Sequence, residues 1–254
     1  MKLITLNTWG GRAGQQKLLD FFKKNQEVDI FCLQEIWSAP YNHLDGGLAG
    51  GVKIDHSDIM VYGKQEINNV LTDHVGLFHP HHLDNYGLFT LLNKNIDLID
   101  SGDLFVYKER GFVPVGDVGN HARNIQFTTI GQDNKKITII NFHGLWNGRG
   151  KTDSDDRILQ SKNIINFLKT LNNPFILCGD FNLLPDTESL MMFELFGLRN
   201  LIKENNITST RTSYYKKDGK FADYIFLSEG IEVVDFKVLN DQVSDHSPLY
   251  LEFN

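Results

Sequence analysis

Five short segments of the chain end an apolar run abruptly on groups able to do chemistry: Leu6-Asn7-Thr8-Trp9, Leu33-Gln34-Glu35, Asn141-Phe142-His143-Gly144, Gly179-Asp180-Phe181-Asn182 and Ser244-Asp245-His246-Ser247-Pro248. An unpaired carboxylate beside a core strand is costly, so these groups are expected to meet a metal, a cation or one another. Three carboxylates and two amides, Glu35, Asp180, Asp245, Asn7 and Asn182, form an oxygen-rich set. Hard cations such as Mg2+ prefer oxygen ligands and keep waters, which suits one or two protein carboxylates plus a phosphate. The expected partners are therefore a divalent cation and a phosphate ester.

Composition narrows the classes. The formal charge of -7 argues against a broad basic face for coating duplex nucleic acid, although a nuclease needs positive charge only in its cleft. Cys32 and Cys178 each sit in an apolar run and read as small buried hydrophobes. No stretch approaches the roughly 18 apolar residues of a membrane span. The first residues run into Asn7 too soon for a secretory segment, so a cytoplasmic location is the default expectation. At 254 residues with 41% hydrophobic residues, one domain over 1–254 is expected, and no protein partner is implied.

The chemical groups gain meaning only if the surrounding elements bring them together. Strands are expected at 2–6, 29–33, 88–92, 104–107, 124–130, 137–140, 175–178, 224–227, 233–238 and 249–253, from alternating or short apolar runs. Helical patterns cover 15–24, 155–171 and 188–196, and the second carries acids in its first turn. Gly131-Gln132-Asp133-Asn134 reads as a hairpin turn. The glycine-rich stretch from Trp37 to His56 is long enough to serve as a substrate-facing lid. Strands separated by single helices predict an α/β (α+β) fold: a four-layered sandwich of two packed β-sheets flanked by helices, with the polar groups at one rim.

The ordered set Asn7, Gln34-Glu35, His143, Gly179-Asp180-Phe181-Asn182, Asp223-Tyr224 and Ser244-Asp245-His246 resembles the signature of the endonuclease/exonuclease/phosphatase (DNase I-like) superfamily across nearly the whole chain. The resemblance implies the DNase I-like sandwich and a Mg2+- or Mn2+-dependent phosphoesterase. It implies that Glu35 is the principal metal carboxylate and that Asn7 lies near the metal and phosphate. Asp180 orients or deprotonates the attacking water, and Asn182 and His143 contact the phosphate. His246 meets the transition-state charge with Asp223 as its carboxylate partner, and Asp245 joins the metal shell or bonds Asn7. A carboxylate on one imidazole nitrogen fixes the tautomer and stabilises the cation.

Other features bear on the substrate. Arg157 and Gln160 are similar to an Arg-x-x-Gln pair of branches that include the tyrosyl-DNA phosphodiesterases, and a substrate contact competes there with local ion pairs to Asp155 and Asp156. Trp9 stands where some nuclease branches carry a second acid, and Asn-x-Trp-Gly is similar to neutral sphingomyelinase-like members. The substrate is thus a nucleic acid, a phospholipid headgroup or a small phosphate ester, and a catalytically silent binding module is the alternative of another class. Arg211, Tyr214 and Tyr215 either clamp the substrate or cover a strand end. His74, His79, His81 and His82, with Pro80 among them, read as a solvated loop.

Overall fold

The computed structural model of the chain describes residues 1–132 and 135–254. In chain order the strands and helices are β1 (Lys2–Asn7), α1 (Gln15–Lys24), β2 (Ile30–Trp37), β3 (Leu48–Ala49), β4 (Val52–Lys53), α2 (Gly63–Val70), β5 (His74–His82), β6 (Tyr86–Asn93) and β7 (Asp97–Tyr107). They continue with β8 (Arg123–Gln132), β9 (Lys135–His143), α3 (Asp155–Leu168), β10 (Phe175–Asp180), α4 (Glu188–Leu195), β11 (Arg199–Asn200), α5 (Leu201–Glu204), β12 (Asp223–Leu227), β13 (Val233–Val238) and β14 (Leu249–Phe253). Two six-stranded sheets form, in the orders β13-β14-β1-β2-β6-β5 and β11-β12-β10-β9-β8-β7. Each has one parallel pair, β1 with β2 and β9 with β10, set among antiparallel neighbours.

Strand alternation explains the layering. In β2, Ile30 and Cys32 face the other sheet and share a core with Ile140, Phe142, Ile176 and Cys178, whereas Phe31 and Leu33 pack with Leu18, Phe21 and Phe22 of α1 and Ile67 of α2. On the far side of the second sheet, Ile164, Ile165 and Leu168 of α3 and Leu190 and Phe193 of α4 extend the same core. Helix, sheet, sheet and helix therefore stack in four layers, the architecture expected from the sequence. Both cysteines are buried and free.

Between the sheets, toward the rim that bears the polar groups, runs a buried polar seam. Gln34 donates to Asn141 Oδ1 at 2.7 Å, Asn141 donates to the Leu33 carbonyl at 3.1 Å, and Thr90 donates to Gln126 at 2.9 Å. Buried polar networks of this kind fix one register of packing, because any slip would strand more desolvated amides than the one oxygen, Gln34 Oε1, that has no partner among the described residues. The seam therefore locks the two halves of the rim against each other.

Two expectations change. Residues 74–82 form a strand and not a solvated loop, with His74, His81 and His82 buried. Pro80 is tolerated because β5 is an edge strand, where a missing N–H costs no ladder bond, and pairing is irregular between Pro80 and His82. Helix α3 ends at Leu168, short of Leu171. Strands β8 and β9 pair as the predicted hairpin, with Asp133 and Asn134 of its turn lying outside the described residues.

Candidate active site

Strand direction alone gathers the site. The parallel pairs carry Asn7 beside Gln34 at the end of β1 and β2, and His143 beside Asp180 at the end of β9 and β10. Strand β12 runs antiparallel to β10, so its first residue, Asp223, lies opposite Asp180. His246 precedes β14, antiparallel to β1, and reaches the same rim. Glu35 has φ +59° within a bulge of β2, where the pairing with β6 shifts between Leu33 and Ile36. Bulges of this kind re-aim a side chain, and here the carboxylate turns into the cleft.

The central contacts are short. Asn7 Nδ2 donates to Glu35 Oε1 at 3.0 Å and to Asp180 Oδ2 at 2.9 Å, so one amide ties two carboxylates together. Asn7 Oδ1 accepts from Trp9 N at 2.9 Å, and Asp245 does not bond Asn7 but accepts from Arg211 at 2.9 Å. Asn182, at φ +55°, gives its backbone N–H to Asp180 Oδ1 at 2.8 Å and its amide to the Gly144 carbonyl at 3.2 Å. His143 Nε2 lies 3.7 Å from Asp180 Oδ2 and 4.0 Å from Glu35 Oε1. His246 Nδ1 lies 2.8 Å from Asp223, while its Nε2 faces Asp180 and Asp245 at 3.6 Å each.

Burial governs the charges. Desolvation raises the pKa of Glu35, and the nearby Asp245 and Asp180 charges push the same way. Burial pushes Asp223 up to about 7 against the pull of Arg211 and Lys151, and it pushes His246 down to about 4 with Arg211 adding to the fall. The sequence alone suggests a carboxylate that favours the imidazolium. In the folded chain desolvation outweighs that effect and favours the neutral imidazole. Lys151, which lines the same cleft, is lowered to about 8, chiefly by burial.

The donor set fits a hard cation. Asp245 Oδ1 is buried without a hydrogen-bond partner among the described residues, and Glu35, Asp180 and Asp245 line one cleft with neither Glu35 nor Asp180 in a salt bridge to Lys or Arg. Ligand atoms of Asp180, Asp223 and His246 lie within 4.8 Å of one another, but Asp223 is already engaged by His246.

A hairpin borders the cleft. The β3–β4 hairpin lies within the predicted 37–56 segment, and its backbone N–H groups at Gly50 and Gly51 donate to Asp117 at 2.6 and 2.7 Å. Trp146 Nε1 donates to the Gly50 carbonyl at 3.1 Å. A Cβ on Gly50, at φ +62°, would fall 2.2 Å from the Trp146 ring, so the latch requires glycine there.

Arg211 and Tyr215 line the cleft, with the guanidinium 4.3 Å from the Tyr215 ring centre. Tyr214 turns aside toward Trp9 and Lys17. Arg157 and Gln160 do not reach the cleft. Arg157 is buried and donates to the carbonyls of Leu145, Gly150 and Thr152, and Gln160 accepts from Leu145 N, so the pair braces the loop after β9 and makes no ion pair with Asp155 or Asp156. Arg12, His82, His121, Arg123, Trp146 and Lys151 line the cleft without having been singled out for it in the sequence. They arrive through strand neighbours and loops, for which local patterning carries no signal.

A family model for the Endonuclease/Exonuclease/phosphatase family matches residues 4–246. The chain belongs to this family. Among solved structures, this family member is similar to the mannosyl-6-phosphatase of Bacteroides thetaiotaomicron, with 16% identity, TM-score 0.77, and 100% of this chain and 99% of that one covered. It is similar to a family protein of Leptotrichia buccalis, with 19% identity, TM-score 0.73, and 100% and 99% covered. It also resembles the human Nocturnin catalytic domain with bound sulfate, with 17% identity, TM-score 0.65, and 100% and 94% covered. At these identities the likeness is one of fold. No curated protein sequence matches the chain.

Proposed function

We propose that the chain is a divalent-metal-dependent hydrolase of phosphate esters, with Mg2+ or Mn2+ held by Glu35 and Asp245 beside Asn7. The observation that carries this reading is the convergence of Glu35, Asn7, Asp180 and the His246–Asp223 pair at one rim. When bound, the cation neutralises charge on a phosphoryl oxygen as a Lewis acid. Asp180 orients water for in-line attack, held in place by Asn7 and by the backbone of Asn182. In this reading the Asn182 amide and the His143 ring donate to equatorial oxygens, and His246 Nε2 meets the charge that develops there, with Asp223 keeping the ring oriented. No side chain is needed as a covalent nucleophile.

A small ester is favoured over a duplex or a membrane-bound headgroup, because the latched hairpin borders the cleft and aromatic and basic groups wall it in. Specificity lies with that hairpin and with Arg211 and Tyr215, in keeping with a shared chemistry grafted with variable surroundings. No helix among the described residues is long and apolar enough to cross a membrane. The test is hydrolysis of a panel of phosphate mono- and diesters with Mg2+ or Mn2+, with EDTA, and with Glu35→Gln. Activity should vanish with EDTA, and Glu35→Gln should lower metal affinity and rate together. Full turnover by Glu35→Gln at trace metal would sink the assignment.

A further inference from the structure

Arg123 begins β8, beside the strand that ends on His143, and is 2% exposed although it lines the cleft. Among the described residues its guanidinium makes one hydrogen bond, from Nη2 to the Gly119 carbonyl at 3.1 Å. Nε and Nη1 are buried without a partner among the described residues, and none of the ion pairs found there includes this arginine. Arg157 is an internal control. It is buried to the same degree, yet its guanidinium is spent on three backbone carbonyls. A planar fork of donors left bare in a desolvated site is costly unless an acceptor arrives.

The surroundings fit an anion. His81, His82 and His121 pack around this end of the cleft, with His81 stacked on His121 at 4.9 Å and tilted against His143 at 5.5 Å. Burial and the Arg123 charge together keep all three imidazoles neutral, so the guanidinium is the lone cation among them. The His82 ring nitrogens are themselves without a partner among the described residues, and His82 and His121 line the cleft. The His81 ring stands between His121 and His143, which sets this position apart from the Asp180 end.

We propose that Arg123, with a ring N–H of His82, binds a second anionic group, a phosphate or carboxylate, carried by the alcohol part of the ester. The inference rests on the phosphoesterase reading for the identity of the ligand but not for the existence of the anion subsite. The substrate class is then a small phosphate ester with two anionic ends, one at Asp180 and His246 and the other under the β3–β4 hairpin.

Two measurements test it. In EDTA, where Glu35 and Asp180 repel anions, sulfate is titrated by calorimetry into the wild-type chain and into Arg123→Gln. Wild type should bind, and Arg123→Gln should bind about tenfold more weakly or worse. No binding by wild type, or equal binding by the variant, overturns the subsite. With metal, KM is compared for glucose 6-phosphate against glucose 1,6-bisphosphate and for phenyl phosphate against 3-carboxyphenyl phosphate, the first pair adding a phosphate and the second a carboxylate. Arg123→Gln should raise KM for the doubly anionic member of at least one pair by about tenfold more than for its partner. Equal rises would place Arg123 on the scissile phosphate and refute the second anion. Arg123→Lys keeps the charge but loses the fork, and the same ordering is expected of it if Arg123→Gln does not fold. If no ester is hydrolysed, the phosphoesterase reading fails while the sulfate titration still decides the subsite.

Discussion

Acid should destabilise this protein in a way that can be assigned to one side chain. His82 closes β5 at 3% exposure, and burial first, then the Arg123 charge, lowers its pKa from 6.5 to about 4. A histidine with a depressed folded pKa binds fewer protons folded than unfolded. Its contribution is therefore fully present above 6.5 and is lost as pH falls toward 4. From pH 8 to pH 5 the unfolded ring gains a proton that the folded ring refuses, which costs about 1 to 2 kcal/mol at roughly 1.4 kcal/mol per unit. His81, His121 and His143 shift in the same direction, whereas the raised carboxyls of Glu35 and Asp223 act in the opposite sense. A single-site comparison removes these shared contributions. Urea unfolding of the wild type and of His82→Gln at the two pH values, without metal, sulfate or phosphate, should show the loss on acidification reduced by that amount in the variant. Equal losses in both proteins would mean that His82 is solvated or charged in the fold, and the reasoning would fail.

Three further outcomes are expected. Asp223→Asn should lower kcat by roughly 100-fold while leaving metal affinity nearly unchanged in a metal titration, since its partner is His246; a large loss of affinity would move this carboxylate into the metal shell. Asp117→Ala removes the acceptor of the Gly50, Gly51 and Gly119 N–H groups, so hydrogen exchange at those amides should quicken by about tenfold or more and KM should rise; unchanged exchange would show that the hairpin is held by other contacts. Arg157→Ala should cost about 3 kcal/mol in urea unfolding, by stranding the carbonyls of Leu145, Gly150 and Thr152; a drop in activity at full stability would restore a substrate role.

The sandwich and its polar rim were legible because they rest on local signals. Period-two runs such as Ile30–Leu33 distribute residues to both faces of a sheet, and abrupt polar endings such as Asp180 mark strand ends. Strand β5 was hidden because its sequence, HVGLFHPHH, lacks a clean alternation and carries a proline that only an edge position permits. Helix α2 gave little signal, with Ile67 the one apolar side chain of its interior that is buried. Within the site, Asn7, Glu35, Asp180, Asn182, His143, Asp223 and His246 are brought together as their motifs implied. Arg157 and Arg123 show the opposite failure: residue type does not tell whether a guanidinium will find backbone carbonyls or a cleft, since that depends on which loop folds over it.

Strand β1 lies between β2 and β14, with Leu3 opposite Leu251. On the ribosome the second sheet, drawn from residues 97–227, is available to close while β1 still shows one bare apolar edge. That edge is sealed only when β14 emerges, and the same event delivers Asp245 and His246 to Asn7 and Glu35. Pairings so distant in sequence are slow to form and expose the nascent chain to association through the open edge. A chain stalled before residue 245 would thus hold Asp180 and His143 together but would lack the His246 imidazole that completes the candidate centre.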